Sequence, residues 1–157
     1  MKKLNVDPFA VYGRDWALVT AGDMDRFNTM TISWGGMGTL WGKSVVTVYI
    51  KPIRYTYEFM EAGELFTVSF YPPEYRKDLD VLGTLSGRDG DKVAKTALTP
   101  IPCGGAVTFR EAHTTLLCRK LYSQDLDPAR IPEEAMRVFY KNEPPHRMYI
   151  AEVLDIL

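Results

Sequence analysis

The sequence predicts a mainly β fold with short helices, an antiparallel barrel carrying helical excursions. Three observations lead there. About seven stretches either alternate polar with apolar residues or run β-branched, the patterns of half-buried and fully buried strands. Helical signals are few and short. They fall between strands without the strict strand–helix alternation that a doubly wound parallel sheet requires.

In chain order, residues 16–21 (WALVTA) form a short apolar stretch ended by Gly22-Asp23. Residues 29–34 (TMTISW) alternate with the period of a half-buried strand, and residues 44–50 (SVVTVYI) are β-branched and more fully buried. Thr56 is placed as the N-cap of a helix over 57–62, with Gly63 as its stop. Residues 65–70 (LFTVSF) alternate again and end before Pro72-Pro73. Pro73 sits as a first-turn proline for a helix over 74–82, where Tyr75, Leu79 and Leu82 share a face and Gly83 ends it. A third short helix is predicted over 91–98. Residues 106–109 and 114–123 read as strands, the second with Leu116, Cys118 and Lys120 on one face. A helix over 132–139 and a last strand over 148–154 close the chain. No repeat, linker or low-complexity segment interrupts this series, and one domain over 1–157 is expected.

Composition narrows the function. At 157 residues and 46% hydrophobic content the chain can bury a sizeable core. Nineteen Lys+Arg against 20 Asp+Glu give a net charge of −1, so no basic field draws nucleic acid. Trp34, Trp41 and Tyr49 could stack bases, but that charge gives them weak electrostatic support. The opening MKKLNVDPFAVYGRDW breaks its apolar run with Asp7, Pro8, Gly13 and Arg14 and does not read as a signal peptide. No run approaches a membrane span. A cytoplasmic protein with no nucleic-acid and no membrane partner is expected. Cys103 and Cys118 are too few for a secreted disulfide framework and read as small buried hydrophobes. His113 and His146 are far apart, neither at ligand spacing from a cysteine, and Asp89-Gly90-Asp91 lacks the glycine placement and closing Glu of a calcium loop. No metal is expected. With no Ser or Cys in a nucleophile-elbow context, an enzyme built on this chain would leave its difficult chemistry to an organic cofactor.

Three segments carry candidate binding chemistry. NTMTISWGGMG, from Asn28 to Gly38, reads as an edge strand running into a glycine-rich turn. It also reads as a surface for a planar heterocycle. Thr29, Thr31 and Ser33 offer hydroxyls, Trp34 a flat face, and Gly35, Gly36 and Gly38 a close backbone approach. KPIRYT, from Lys51 to Thr56, opens a helix whose free N–H groups favour an anion, with Arg54 and Thr56 at the same end. The competing reading is a capped helix with a solvated arginine. TLSGRDGDK, from Thr84 to Lys92, is either a solvated turn or a second anion clamp. Charge-assisted bonds from Arg54, Ser86 and Lys92 to a phosphate would each contribute roughly 1.5–3 kcal/mol if shielded from water.

Taken in order, N-x-M-T-x-S-W-G-G, the turn with Leu40-Trp41, K-P-x-R-Y-T, F-T-V-S-F, L-G-x-x-S-G-R-D-x-D-K and the closing H-R-M-Y-I-A-E-V resemble the flavin reductase-like, flavoredoxin-type family. The resemblance spans Asn28 to Val153. It implies an FMN-binding split β-barrel, generally a homodimer. By the same resemblance, Asn28, Met30, Thr31, Ser33 and Trp34 lie along the flavin ring and ribityl chain, and Arg54 and Thr56 hold the FMN phosphate. Ser86 and Lys92 belong to the second phosphate-side loop, with Arg88 assisting. His146 matches a histidine near the nicotinamide of the reductant in the reductase branch. The chain departs from the pattern at Ala151, where glycine is usual, and at Pro145, where some members carry Asp. What the resemblance implies is an FMN-dependent oxidoreductase taking a hydride from NADH or NADPH and passing electrons to a small-molecule or protein acceptor. Its alternative is a flavoredoxin-type electron carrier reduced by a partner protein.

Overall fold

A computed structural model describes residues 2–157. Its centre is a seven-stranded, wholly antiparallel sheet in the order β2-β1-β5-β8-β9-β4-β3. The strands are β1 (Ala17–Gly22), β2 (Phe27–Ile32), β3 (Gly35–Leu40), β4 (Lys43–Ile50), β5 (Leu65–Phe70), β8 (Thr114–Asp125) and β9 (Arg147–Ile156). A separate hairpin pairs β6 (Pro100–Cys103) with β7 (Ala106–Phe109). The sheet curls around one apolar cluster to which β1, β2, β4, β5, β8 and β9 all contribute, while β2 and β3 remain its two edges. Tyr149, Phe66 and Phe70 are among its largest fully buried side chains. Truncating such an aromatic to alanine costs about 3–5 kcal/mol.

Four helices decorate the sheet: α1 (Pro8–Gly13), α2 (Tyr55–Ala62), α3 (Arg76–Thr84) and α4 (Glu133–Phe139). Strand alternation decides which helix packs where. Val19, Ala21 and Ile32 belong to the barrel cluster with Phe59 and Met60 of α2, and Met30 packs against it. On the opposite side of β1, Leu18 joins Leu79 and Leu82 of α3 in a second cluster. The hydroxyls of β2 point the same way as Leu18. Thr29 Oγ1 meets Thr20 Oγ1 at 2.8 Å and donates to the Val19 carbonyl, and Thr31 Oγ1 donates to the Leu79 carbonyl.

The structure departs from the sequence expectations at six places. Gly35 to Leu40, expected as a glycine-rich turn, is the edge strand β3. Its glycine is required by packing: a Cβ on Gly35 would stand 2.6 Å from the Tyr12 ring of α1. Helix α1 itself was masked by the Asp7-Pro8 break, which is its start signal. Asp7 Oδ1 accepts from the Phe9 and Ala10 N–H groups, and Pro8 occupies the first turn. Strand β6 contains Pro100 and Pro102, which donate nothing to a ladder and survive only in a two-stranded edge hairpin. The helix expected over 91–98 reduces to one 3₁₀ turn at Val93–Lys95. Thr56 does not cap α2: Arg54 holds the cap position without a side-chain bond, and Thr56 lies buried inside the helix. Gly83 does not end α3, which reaches Thr84 because the Lys92 ammonium takes the Leu82 and Leu85 carbonyls at its end.

Candidate functional site

A line of three hollows follows β2 from Trp34 to Asp25. The first, 190 Å³, lies between Met30–Trp34, Tyr49, Lys51, Arg54 and His146. The second, 130 Å³, shares Met30 and Arg54 with it and is closed by the start of α2, the end of α3 and the following loop to Gly87, with Lys92 at its back. The third, 370 Å³, shares Asn28, Tyr55, Gly87 and Lys92 with the second and runs on to Asp25 and Arg26.

The lining of the middle hollow is cationic and rich in donors. No Asp or Glu lines it, whereas Arg54 and Lys92 both do. Among the described residues the Arg54 guanidinium has no hydrogen-bond or carboxylate partner. The N–H groups of Tyr55 and Thr56, at the first turn of α2, and of Ser86 and Gly87 likewise have no acceptor among the described residues. The Ser86 hydroxyl accepts from the Arg88 N–H at 3.2 Å, which leaves its own proton free to donate. Lys92 is 5% exposed, and two of its three ammonium protons go to the Leu82 and Leu85 carbonyls at 2.8 and 3.1 Å. Burial first, and then the nearby Arg54, push its pKa down to about 8.

Close packing sets the hollow's walls. Asn28 Nδ2 donates to Thr56 Oγ1 at 2.8 Å, joining β2 to α2. Gly87 passes so near this pair that a Cβ there would meet Asn28 Oδ1 at 2.2 Å and Tyr55 Cδ1 at 3.0 Å. Any larger residue would push the loop, and its N–H groups, away from β2. Arg88 does not line the hollow. It donates to the Ile53 carbonyl at 3.1 Å, pairs with Glu58 at 2.6 Å and lies over the Tyr55 ring. The reading of Arg88 as an anion ligand therefore gives way to a brace between this loop and the start of α2.

At the other end, Trp34 is 41% exposed and packs edge-on against Phe139 of α4, with ring centroids 5.0 Å apart. His146 lies 5.1 Å from Trp34, and its Nδ1 meets the Tyr140 hydroxyl at 2.7 Å. Burial, then the charges of Lys51 and Arg54, lower its pKa to about 4, so the ring is neutral near pH 7. Lys51 Nζ holds the segment after α4 in place through the Phe139 carbonyl at 3.1 Å and Glu143 at 2.5 Å.

Asn28, Met30, Ser33, Trp34, Arg54, Thr56, Ser86, Lys92 and His146 thus fall on one continuous groove. Thr31 borders it, but its hydroxyl is committed to α3 and only its remaining atoms face the hollow. Four participants escaped the sequence reading. Gly87 and Tyr55 stand inside TLSGRDGDK and KPIRYT, where a glycine beside a hydroxyl and an aromatic beside a cation were available signals. Lys51 is in KPIRYT too, whereas nothing local marks Tyr140. Among the described residues no group of three or more His, Cys, Asp or Glu could hold a metal ion, and no helix is long and apolar enough to cross a membrane.

The Flavin reductase like domain matches residues 10–157. Among curated proteins, none matches the chain. Similar solved structures include the FMN-binding protein from Thermus thermophilus with bound 1-cyclohex-2-enone, with a TM-score of 0.72 at 18% identity over 100% of this chain and 80% of that one. Flavoredoxin of Desulfovibrio vulgaris (Miyazaki F) has a TM-score of 0.71 at 24% identity, over 100% of this chain and 76% of its own. The NADH:FAD oxidoreductase of Streptomyces globisporus C-1027, in complex with NAD and FAD fragments, has a TM-score of 0.69 at 15% identity, over 91% and 73%. A further neighbour, from Shewanella frigidimarina, carries a split barrel domain, and this chain shares its fold.

Proposed function

Because the chain belongs to the Flavin reductase like domain family, we propose that it binds FMN along β2 and carries a hydride from NADH or NADPH through that flavin to a small-molecule or protein electron acceptor. The observation that supports this best is the convergence of Arg54, Lys92, Ser86 and four unpartnered N–H groups on one acid-free hollow, at the end of a groove whose other end is Trp34. That donor set fits a dianionic phosphate. Bound flavin supplies the hydride-accepting ring.

The chain's own residues then have distinct tasks. Arg54, Ser86 and the third Lys92 proton hold the phosphate. Thr56, whose oxygen accepts from Asn28, retains a proton to donate to it. Met30 and Ser33 flank the ribityl side, and Trp34 gives the ring a flat neighbour. His146, neutral and oriented by Tyr140, leaves Nε2 as its unpartnered ring nitrogen to meet an uncharged amide.

One observation favours a second reading, a flavoredoxin-type carrier reduced by a partner protein. Phe139 and Tyr140 crowd Trp34 and His146 at the ring end, leaving 190 Å³ there for flavin and nicotinamide together. A homodimer belongs to either reading. Its support is the exposed Trp41, 66% accessible and held at φ +51° in the turn between the edge strand β3 and β4.

The deciding experiment is absorbance of FMN-loaded protein mixed anaerobically with NADH or NADPH. Bleaching of the flavin band, followed by steady turnover with an added acceptor, is expected. Bleaching only by a chemical or protein reductant would replace the first reading with the second. Protein that retains no flavin would overturn both.

A further inference from the structure

Another hollow shares no lining residue with the three along β2. Its 380 Å³ lies within the range of small-molecule sites. Four segments meet around it: Arg14-Asp15 before β1, Tyr71 to Pro73 after β5, the start of α3 and His113 before β8. Its distinctive group is the Arg76 guanidinium. That group rests on the Trp16 ring, 3.2 Å from the ring centre, and donates one hydrogen bond, to the Arg14 carbonyl. Among the described residues it has no carboxylate partner. The mount beneath it is unusual. Trp16 holds φ +67°, a left-handed backbone that bulky residues rarely adopt, while its ring packs on the cluster of Leu18, Leu79 and Leu82. Burial of the indole offsets that strain, and the result is a guanidinium fixed in place with most of its five donors unpartnered.

We infer that this hollow is a further ligand site, for an organic monocarboxylate with an apolar ring. The one acid in its lining does not neutralise Arg76, because both Asp15 oxygens accept from Arg14, at 2.7 and 3.0 Å. That pair cancels itself and leaves Arg76 as the uncompensated charge. A guanidinium fork meets a carboxylate in two parallel hydrogen bonds. A phosphate of about −2 charge would keep part of its charge unpaired there. His113 Nδ1 meets Thr114 Oγ1 at 3.0 Å, so its Nε2 is the ring nitrogen left for a second polar contact. The half-buried Pro72 and the exposed Pro73 supply an apolar wall against which a ring loses water. The inference stands whether or not flavin fills the groove. The two sites nevertheless flank one helix: Leu79 of α3 lines this hollow, and its carbonyl accepts from Thr31 beside the groove.

The test titrates the full chain with benzoate and with benzamide, which has the same shape without the charge, and follows the indole N–H resonances by NMR. Benzoate is expected to shift the Trp16 signal saturably and to leave that of Trp34, in the flavin groove, in place. Benzamide should bind at least about tenfold more weakly, the loss of one charge-assisted contact. Arg76→Met, on an exposed side chain, should weaken benzoate by about the same factor and leave benzamide within about twofold. The inference is overturned if Trp16 does not respond, if Trp34 responds at lower benzoate than Trp16, or if benzoate and benzamide bind alike. The last comparison is made on the parent chain, so it decides even where Arg76→Met fails to fold. Unchanged benzoate affinity in folded Arg76→Met would overturn the inference as well.

Discussion

Removing the guanidinium of Arg54 tests the phosphate assignment without disturbing the fold. Arg54 is exposed and, among the described residues, unpaired, so Arg54→Met should change folding stability by no more than about 0.5 kcal/mol. Toward a phosphate the same side chain offers charge-assisted bonds of about 1.5–3 kcal/mol each when shielded. The hollow opens to solvent at Arg54, which favours the lower figure for a single bond. At about 1.4 kcal/mol per factor of ten, FMN should bind about tenfold more weakly, and about a hundredfold more weakly if two bonds are lost. Riboflavin is the control because it lacks the phosphate. Its dissociation constant should not move. The structure also provides a readout independent of ligand: Arg54 helps to depress the pKa of both Lys92 and His146, so both should rise in the variant, as followed by NMR titration. Equal weakening of FMN and riboflavin, or no change in either, would refute the reasoning.

Three further outcomes are expected. His146 carries a pKa near 4 when folded and its ordinary 6.5 when unfolded, so the unfolded chain takes up the proton first. Its stability contribution is complete above pH 6.5 and is lost as pH falls through 4; thermal melts of His146→Gln should lack that part of the acid slope. Lys92→Met leaves two carbonyls at the end of α3 without their donor and should cost about 1–3 kcal/mol in urea unfolding. The unfolded chain keeps the Lys92 proton to about 10.5 and the folded one only to about 8, so parent stability gains from this group across that window, a gain the variant should lose. Gly35→Ala drives a methyl to 2.6 Å from the Tyr12 ring and should cost about 1–3 kcal/mol. Gly36→Ala, with open space at its Cβ, should leave the urea midpoint unchanged.

Much of this fold was legible because strand period is a local property. The alternation in TMTISW and LFTVSF and the β-branched SVVTVYI mark β2, β5 and β4. What failed was local pattern overruled by a distant neighbour. Gly35 and Gly36 have turn composition, yet they pair with Val48 and Thr47 in an edge ladder. The 91–98 segment has helical composition, and Asp91 caps a turn through the Ala94 N–H, but with Lys92 turned back to α3 only that one turn forms. The site was readable as an ordered set of segments. Its division of labour was not, because only the register of β2 on β1 reveals that the hydroxyls of Thr29 and Thr31 turn away from the groove while Asn28 and Met30 line it. Arg88 is the same lesson in charge: a cation in the right loop, claimed by Glu58.

That two-sided strand has a consequence for how such a protein can diversify. Along β2, successive positions answer to different constraints. One set is fixed by contact with α3 and β1, and the other lines the channel, where Asn28 is tied to Thr56 and the Met30 side chain makes apolar contacts alone. A library at position 30 would therefore vary the channel wall while sparing the anchoring hydroxyls at 29 and 31 and the Asn28–Thr56 tie, an economy that follows from the pleat.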